Sequence, residues 1–419
     1  MKITLALFLL VVIFLSGCSN EQIQENKEII EATDIESKDE VAVQKPAEIK
    51  NESQNTDEPE PLEEILSPEE QVWRNRIEKA LAPSPCLDVP KLGYPSTYYQ
   101  GPLLDTHLHI PSIPDWSAEE DEQMQDQTPE GRFGGPQALL GWNVKMSEIA
   151  CTLKREGTHN NFAFFPVYEG EISLYQLEIW NRTMQEYPEQ FTSFIMSSGN
   201  DGEPNGFPTV DAQTLKDMLA VYPRLFKGYG EIGLYARENG GSPELPPDSP
   251  RLQEIYPLVK KNKLVVYFHL GDGHKDNFEK VLKQYPDINF IWHGDQLSVD
   301  EVKDILSKHP NAYYGIDEFF GGEREIFELY VGKSKEKYLD TANTKFDKII
   351  SQALSHWKSL IEQHPDQVTW GTDRGDAVWN YDRDVGEMQV KIARAFIGKL
   401  NPAVQEKFAY KNAEEIAGD

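Results

Sequence analysis

Nine histidines are spread along the 419 residues, and two of them, His107 and His109, stand two positions apart in "LLDTHLHI". The residues around them are apolar and β-prone. On a strand, positions i and i+2 point to the same side, so both imidazoles face one space. A solvated face is better served by Thr or Lys and a buried one by Val, so the pair needs another reason. Neutral imidazoles are ligands for borderline divalent cations, commonly completed by a carboxylate. Residues of those types recur at other apolar runs: Glu231 in "GYGEIGLY", His269 in "VVYFH", His293 in "FIWH" and Asp373 in "TWGTD". Together these groups can hold one or two divalent ions, with a carboxylate such as Glu231 shared between two. Ions so held make a bound water acidic enough to yield hydroxide near neutral pH. Asp373 can bind one ion, accept the proton of that water and pass it to a leaving group.

These groups meet only if the runs that carry them lie side by side. From Leu103 onward, apolar β-rich runs alternate with stretches of helical spacing, eight times in all. Ser298 and Asp211 stand where a helix N-cap is expected. Pro188, Pro223, Pro286, Pro310 and Pro365 each stop a helix just before the next run. Eight strand–helix units predict a parallel sheet closed into a (β/α)8 TIM barrel, whose usual length is ~250 residues. An open doubly wound sheet carries a glycine-rich phosphate loop after its first strand; here "IPSIPDWSAEEDEQ" follows, without a glycine. All the candidate ligands then fall at the C-terminal ends of their strands, the face on which barrels build active sites. Two long insertions, Pro111 to Gly135 and Glu318 to Lys345, follow strands 1 and 7 and are expected to wall or cover that face.

In this order "DTHLH", "GEIGLY", "YFH", "WHGD" and "GTD" resemble the amidohydrolase superfamily, whose first element is D-x-H-x-H. The tail "LNPAVQEKFAYKNAEEIAG", with Asn412-Ala413, is similar to that of the amidohydrolase-related branch, and "GEIGLY" resembles the metal-bridging segment of TatD-like deoxyribonucleases. The resemblance covers residues 103 to 418. It implies His107 and His109 on a first metal, Glu231 bridging, His269 and His293 on a second, and Asp373 as ligand and proton shuttle. It implies zinc first, with manganese or iron as alternatives, and hydrolysis of an amide, ester, lactone or phosphoester of a small molecule. Some relatives instead decarboxylate with one metal, which here would use His107, His109, His269 and Asp373 without Glu231. A non-catalytic solute- or metal-binding protein is the other alternative.

Other groups carry weaker signals. Arg374, next to Asp373, is the expected contact for a substrate carboxylate or phosphate. Asp295, Asp317, Trp116, Trp142 and Trp379 also fall near that face, where packing or solvation accounts for each alone. His274 lies in the loop after strand 5. His159, His309, His356 and His364 sit on helices, helix ends or loops, as background. Lys227 lies four residues before Glu231 and too deep to bridge.

The chain begins with a Lys, an apolar run too short to span a membrane, and "LSGC". This reads as a lipoprotein signal over 1–17 with lipid on Cys18, and so as an exported, membrane-anchored protein facing the periplasm or cell exterior. Residues 18–70 hold 17 acids against 4 bases and no aromatic, a disordered tether. Residues 71–102 are a helical extension, expected to plug the lower end of the barrel, which occupies 103–419. The formal charge is −29, which disfavours a grip on nucleic acid. Cys86 and Cys151 either pair or stay separate; spacing does not decide it.

Overall fold

A computed structural model of the chain describes residues 66–87, 93–117, 136–199, 207–235, 244–294, 296–317, 334–375 and 377–418, with scattered positions between 119 and 123. The signal segment, Cys18 and nearly all of the tether lie outside the described residues. So do most of the first insertion, Asp295, and the first part of the second insertion.

Eight parallel strands follow one another in a single sheet in chain order. They are β1 (Leu103–His109), β2 (Thr158–Tyr168), β3 (Phe191–Ser198), β4 (Gly228–Gly233), β5 (Val265–His269), β6 (Phe290–His293), β7 (Ala312–Ile316) and β8 (Val368–Trp370). Between them run α2 (Met146–Glu156), α3 (Ile172–Glu186), α4 (Ala212–Val221), α5 (Pro250–Asn262), α6 (Lys275–Gln284), α7 (Val299–Lys308), the pair α8 (Lys335–Thr344) and α9 (Phe346–Gln363), and finally α10 (Arg383–Ile397). This is the expected (β/α)8 barrel. The capping signals hold: Asp211 accepts from the Thr214 amide at 2.8 Å, and Ser298 with Glu301 forms a reciprocal capping box.

The seam between β8 and β1 is closed mainly by side chains. Thr106 Oγ1 lies 3.1 Å from Thr369 Oγ1 and donates to the Trp370 carbonyl at 2.9 Å. Asp105 accepts from the Thr372 amide and hydroxyl at 2.9 and 2.6 Å, and from the His107 amide at 2.9 Å. Just above β8 the His109 amide donates to the Arg374 carbonyl at 2.8 Å. Burial pushes the Asp105 carboxyl up to about 6, with the Thr372 and His107 hydrogen bonds pulling the other way. The acid of the D-x-H-x-H pattern is thus a clasp holding β1 to the segment that bears Asp373.

The floor of the barrel differs from expectation. Helix α1 (Pro68–Ala80) does not plug it but lies outside along α3, through Trp73 stacked on Tyr175 and Arg74 paired with Glu178 at 3.2 Å. Its capping box, Ser67 with Glu70, starts the helix before residue 70 and so inside the expected tether. The C-terminal run Pro402–Ala417 supplies the floor instead. Its Ala413 and Ile416 join Leu104, Phe162, Val265 and Ile291 in one apolar cluster, and Asn412 donates to the carbonyls of Pro365 and Val368. Cys86 and Cys151 are bonded, with Cα atoms 5.5 Å apart, tying the segment after α1 to α2.

Candidate metal centre

The upper ends of β1, β4, β6 and β8 bring one cluster together. His107 Nε2 and His109 Nε2 are 3.1 Å apart. Glu231 Oε2 lies 3.5 Å from the first and 3.1 Å from the second; Asp373 Oδ1 lies 3.2 and 3.4 Å from them. The other oxygen of Glu231 is 2.7 Å from His293 Nε2. Donor atoms of His107, His109 and Asp373, and separately of His107, Glu231 and His293, lie within 4.8 Å of one another. Glu231 is delivered by a glycine that nothing else can replace. Gly230 has φ +129°, and a Cβ there would overlap the Tyr267 carbonyl. Asp373 sits at φ +48°, a left-handed conformation that Asp tolerates better than most residues.

Asp317, at the end of β7, completes the cluster from behind. Its Oδ2 is 2.7 Å from His107 Nδ1 and 2.7 Å from His293 Nδ1, and its side chain is 5% exposed. In the sequence alone it is a residue that packing or solvation explains. Its position at the end of an apolar run was the available signal, but its partners come from two remote strands. With Nδ1–H of both rings engaged on Asp317, the Nε2 atoms of the neutral rings carry lone pairs. His107 Nε2 and His293 Nε2, like His109 Nε2, face carboxylate oxygens. In the neutral rings of His107 and His293 acceptors face acceptors, so the arrangement calls for positive charge there, as protons or as a cation.

The electrostatics agree. Burial disfavours a charged His109, yet hydrogen bonds to Asp373 and Glu231 outweigh it and push its pKa up to about 10. Burial likewise opposes charge on His293, but Asp317 and Glu231 hold it well above its ordinary value. Burial raises Glu231, and His293, His107 and His109 more than reverse this, leaving it well below the usual carboxylate range. A negative field this strong is met either by protons on the imidazoles or by a cation. Two or three imidazoles with carboxylate oxygens form a donor set suited to zinc, manganese or iron, so the residues present fit a divalent ion.

His269 stands at the edge. Its ring is 4.5 Å from that of His293 and nearly perpendicular to it, and its Nδ1 lies 3.2 Å from the Leu270 carbonyl. Its nitrogens join neither donor group among the described residues. Burial, then the charge on His293, lowers its pKa.

A cavity of about 560 Å³ opens above the cluster. Glu231, His269, His293 and Asp373 form its base, with Tyr168, Met196, Tyr235 and Asn380 among its walls.

The expectation for Arg374 is corrected. Its side chain is 1% exposed and points away from the cavity. Nη1 and Nη2 donate to the two oxygens of Glu156 at 3.0 and 2.9 Å, and Nε donates to Gln389 at 3.1 Å. Asp373 is turned towards the cavity, and the Arg374 side chain runs the other way, to Glu156 and Gln389. The His274 ring is buried, and its Nε2 lies 2.7 Å from Glu244 Oε1. Trp116 packs edge-on against Trp142, and Trp379 is buried beside Tyr338. Lys227 lines a separate hollow of about 440 Å³ at the opposite ends of the strands, confirming that it is too deep for the cluster.

No family model and no curated protein matches the chain. Among solved structures it is similar to a zinc-bound amidohydrolase from Burkholderia multivorans, at 9% identity and TM-score 0.47, covering 76% of this chain and 99% of that one. It is also similar to a dihydroorotase from Campylobacter jejuni, at 14% identity and TM-score 0.43, covering 78% and 87%. A third is 4-oxalomesaconate hydratase from Rhodopseudomonas palustris, at 12% and 0.43, covering 75% and 95%.

Proposed function

We propose that the chain is a metal-dependent hydrolase of the amidohydrolase type, cleaving an amide, ester, lactone or phosphoester bond in a small molecule. The observation that carries this is the convergence of His107, His109 and His293 Nε2 on oxygens of Glu231 and Asp373. These residues would hold the ion or ions, with Glu231 offering one oxygen to each side and His269 the remaining imidazole beside a second ion. A bound divalent ion supplies Lewis acidity, lowering the pKa of water and polarising the bond to be cleaved.

The chain's own residues do the rest. Asp317 holds two rings in place through their Nδ1 atoms. Asp373, 27% exposed in its side chain at the cavity base, takes the proton of the attacking water at its carboxylate and returns it to the leaving group. The wall residues exclude bulk water and orient the substrate. A single-metal decarboxylase leaves Glu231 outside the donor set, whereas Glu231 here lies 3.1 Å from His109 Nε2 and 2.7 Å from His293 Nε2, which supports the hydrolase. A carrier has no use for a proton-accepting carboxylate at the mouth of its site. The acidic chain makes nucleic acid a poor substrate.

Metal analysis of the purified protein, followed by a panel of esters, lactones, amides and phosphodiesters, tests this reading. Turnover that a chelator abolishes and zinc or manganese restores is expected; a metal-loaded protein silent across the panel would favour the carrier. Export and anchoring through lipid on Cys18 are proposed from "LSGC" alone. Cys18→Ser should release the protein from membranes.

A further inference from the structure

We propose that Asp317 is a positioning residue that makes the imidazoles of His107 and His293 one unit, so that ions held through either ring are gained or lost together. The inference rests on the metal reading above and goes beyond it by assigning control of the whole donor set to one carboxylate that need not touch an ion.

The geometry is specific. A single oxygen, Oδ2, takes the Nδ1–H of both rings at 2.7 Å each. The two rings lie 4.3 Å apart at 82° to one another, and their side chains are 0% and 4% exposed. Neither has a comparable substitute among the described residues; the Tyr267 hydroxyl is 3.4 Å from His107 Nδ1. Engaging Nδ1 aims each Nε2 inward, His107 towards His109 and Asp373, His293 towards Glu231. The negative charge behind each ring also makes its far nitrogen a stronger donor. Because both effects pass through one atom, His107 and His293 cannot be tuned separately. His107 belongs to both donor groups, so the influence of Asp317 reaches every ligand in the cluster.

Three variants of the full chain separate charge, shape and reach. Asp317→Asn keeps the shape and one acceptor oxygen but removes the charge. Asp317→Glu keeps the charge and displaces it. Asp317→Ala removes both. The readouts are zinc affinity, by competition with a chromophoric chelator, and the visible absorption of the cobalt(II)-loaded protein, which reports ligand geometry without turnover. Zinc affinity should fall roughly 10–100-fold in Asp317→Ala, with Asp317→Asn between it and wild type, and the cobalt bands should shift in both. Where two ions bind, both affinities should drop.

Wild-type affinity and cobalt bands in Asp317→Asn would overturn the proposal, since a packing residue is satisfied by the isosteric amide. So would a loss confined to one of two ions. Should Asp317→Ala fail to fold by circular dichroism, Asp317→Asn decides alone. A wild-type protein that takes up no zinc, manganese or cobalt would remove the hydrolase reading and this one together. Tight wild-type binding with indifferent variants would remove this one only.

Discussion

Two buried charge clusters lie back to back, joined by the peptide bond between Asp373 and Arg374. Among the described residues, the outer one sets permanent charges of opposite sign against each other. One guanidinium meets one carboxylate, Arg374 on Glu156, through two parallel hydrogen bonds, and Gln389 accepts from Nε. The inner one has no permanent cation among the described residues. Three carboxylates and three imidazoles crowd together, and His107 and His109 nitrogens stand 3.1 Å apart. A carboxylate matched by a guanidinium marks a group that holds the fold together. Carboxylates that need added protons or a cation, beside a cavity, mark one built for something else. The difference teaches that buried charge alone does not indicate function; what matters is whether the charges are satisfied by each other.

The sharpest way to break this contrast is to alter the two neighbours singly. Asp373→Asn should lower kcat by roughly 10²–10⁴-fold, the usual contribution of a positioned acid–base group, and leave the melting temperature nearly unchanged. Asn is the right replacement because it too accepts the left-handed conformation at φ +48°. Arg374→Ala should do the opposite. Stranding Glu156 in the interior should destabilise the fold by about 3–5 kcal/mol, seen as a lower denaturant midpoint, while folded protein keeps its kcat. Loss of kcat with full stability in Arg374→Ala would return that residue to the substrate and erase the contrast.

A cation distinguishes the clusters next. Zinc at about 100 times its dissociation constant should stabilise the protein by roughly 2.7 kcal/mol, read as a rise in melting temperature that a chelator reverses. The rise should survive in Arg374→Ala and vanish in a His107→Ala, His109→Ala double variant. An equal rise in all three would place the ion elsewhere.

Much of this was legible in the chain. Strands announce themselves by β-rich apolar runs, helices by caps and prolines, and both signals are local, so the barrel and the strand-end positions of His107, Glu231, His293 and Asp373 could be read directly. The outward turn of Arg374 was not: Asp373 lies past the end of β8 at φ +48°, where strand alternation does not apply, and the partner of Arg374, Glu156, comes from a remote helix. What could not be read depends on distances between remote segments. Asp317 matters because β1 and β6 present their Nδ1 atoms to the end of β7. Cys86 meets Cys151 because α1 lies along α3 and not under the barrel. The floor could have gone to either terminus, since both offer amphipathic helices, and only packing chooses the C-terminal one.

The smallest expected effect is also the most diagnostic of the outer cluster. Gly386 lies within α10, where glycine ordinarily costs about 0.5–1 kcal/mol relative to alanine. A Cβ at this position would overlap both Glu156 Oε2 and Arg374 Nη2. These are side-chain tips, which elsewhere would swing aside, but here each is buried and bound to the other. Gly386→Ala should therefore destabilise the native protein by about 1–3 kcal/mol, the usual cost of overpacking. With the pair replaced by apolar residues, as in Glu156→Leu with Arg374→Met, the tips are gone and the helix preference for alanine remains. The same substitution should then become neutral or stabilising by about 0.5–1 kcal/mol. A denaturant-based double-mutant cycle reads this change of sign. If Gly386→Ala costs the same in both backgrounds, the ion pair is not what the glycine accommodates, and the outer cluster is less rigid than its two parallel hydrogen bonds imply.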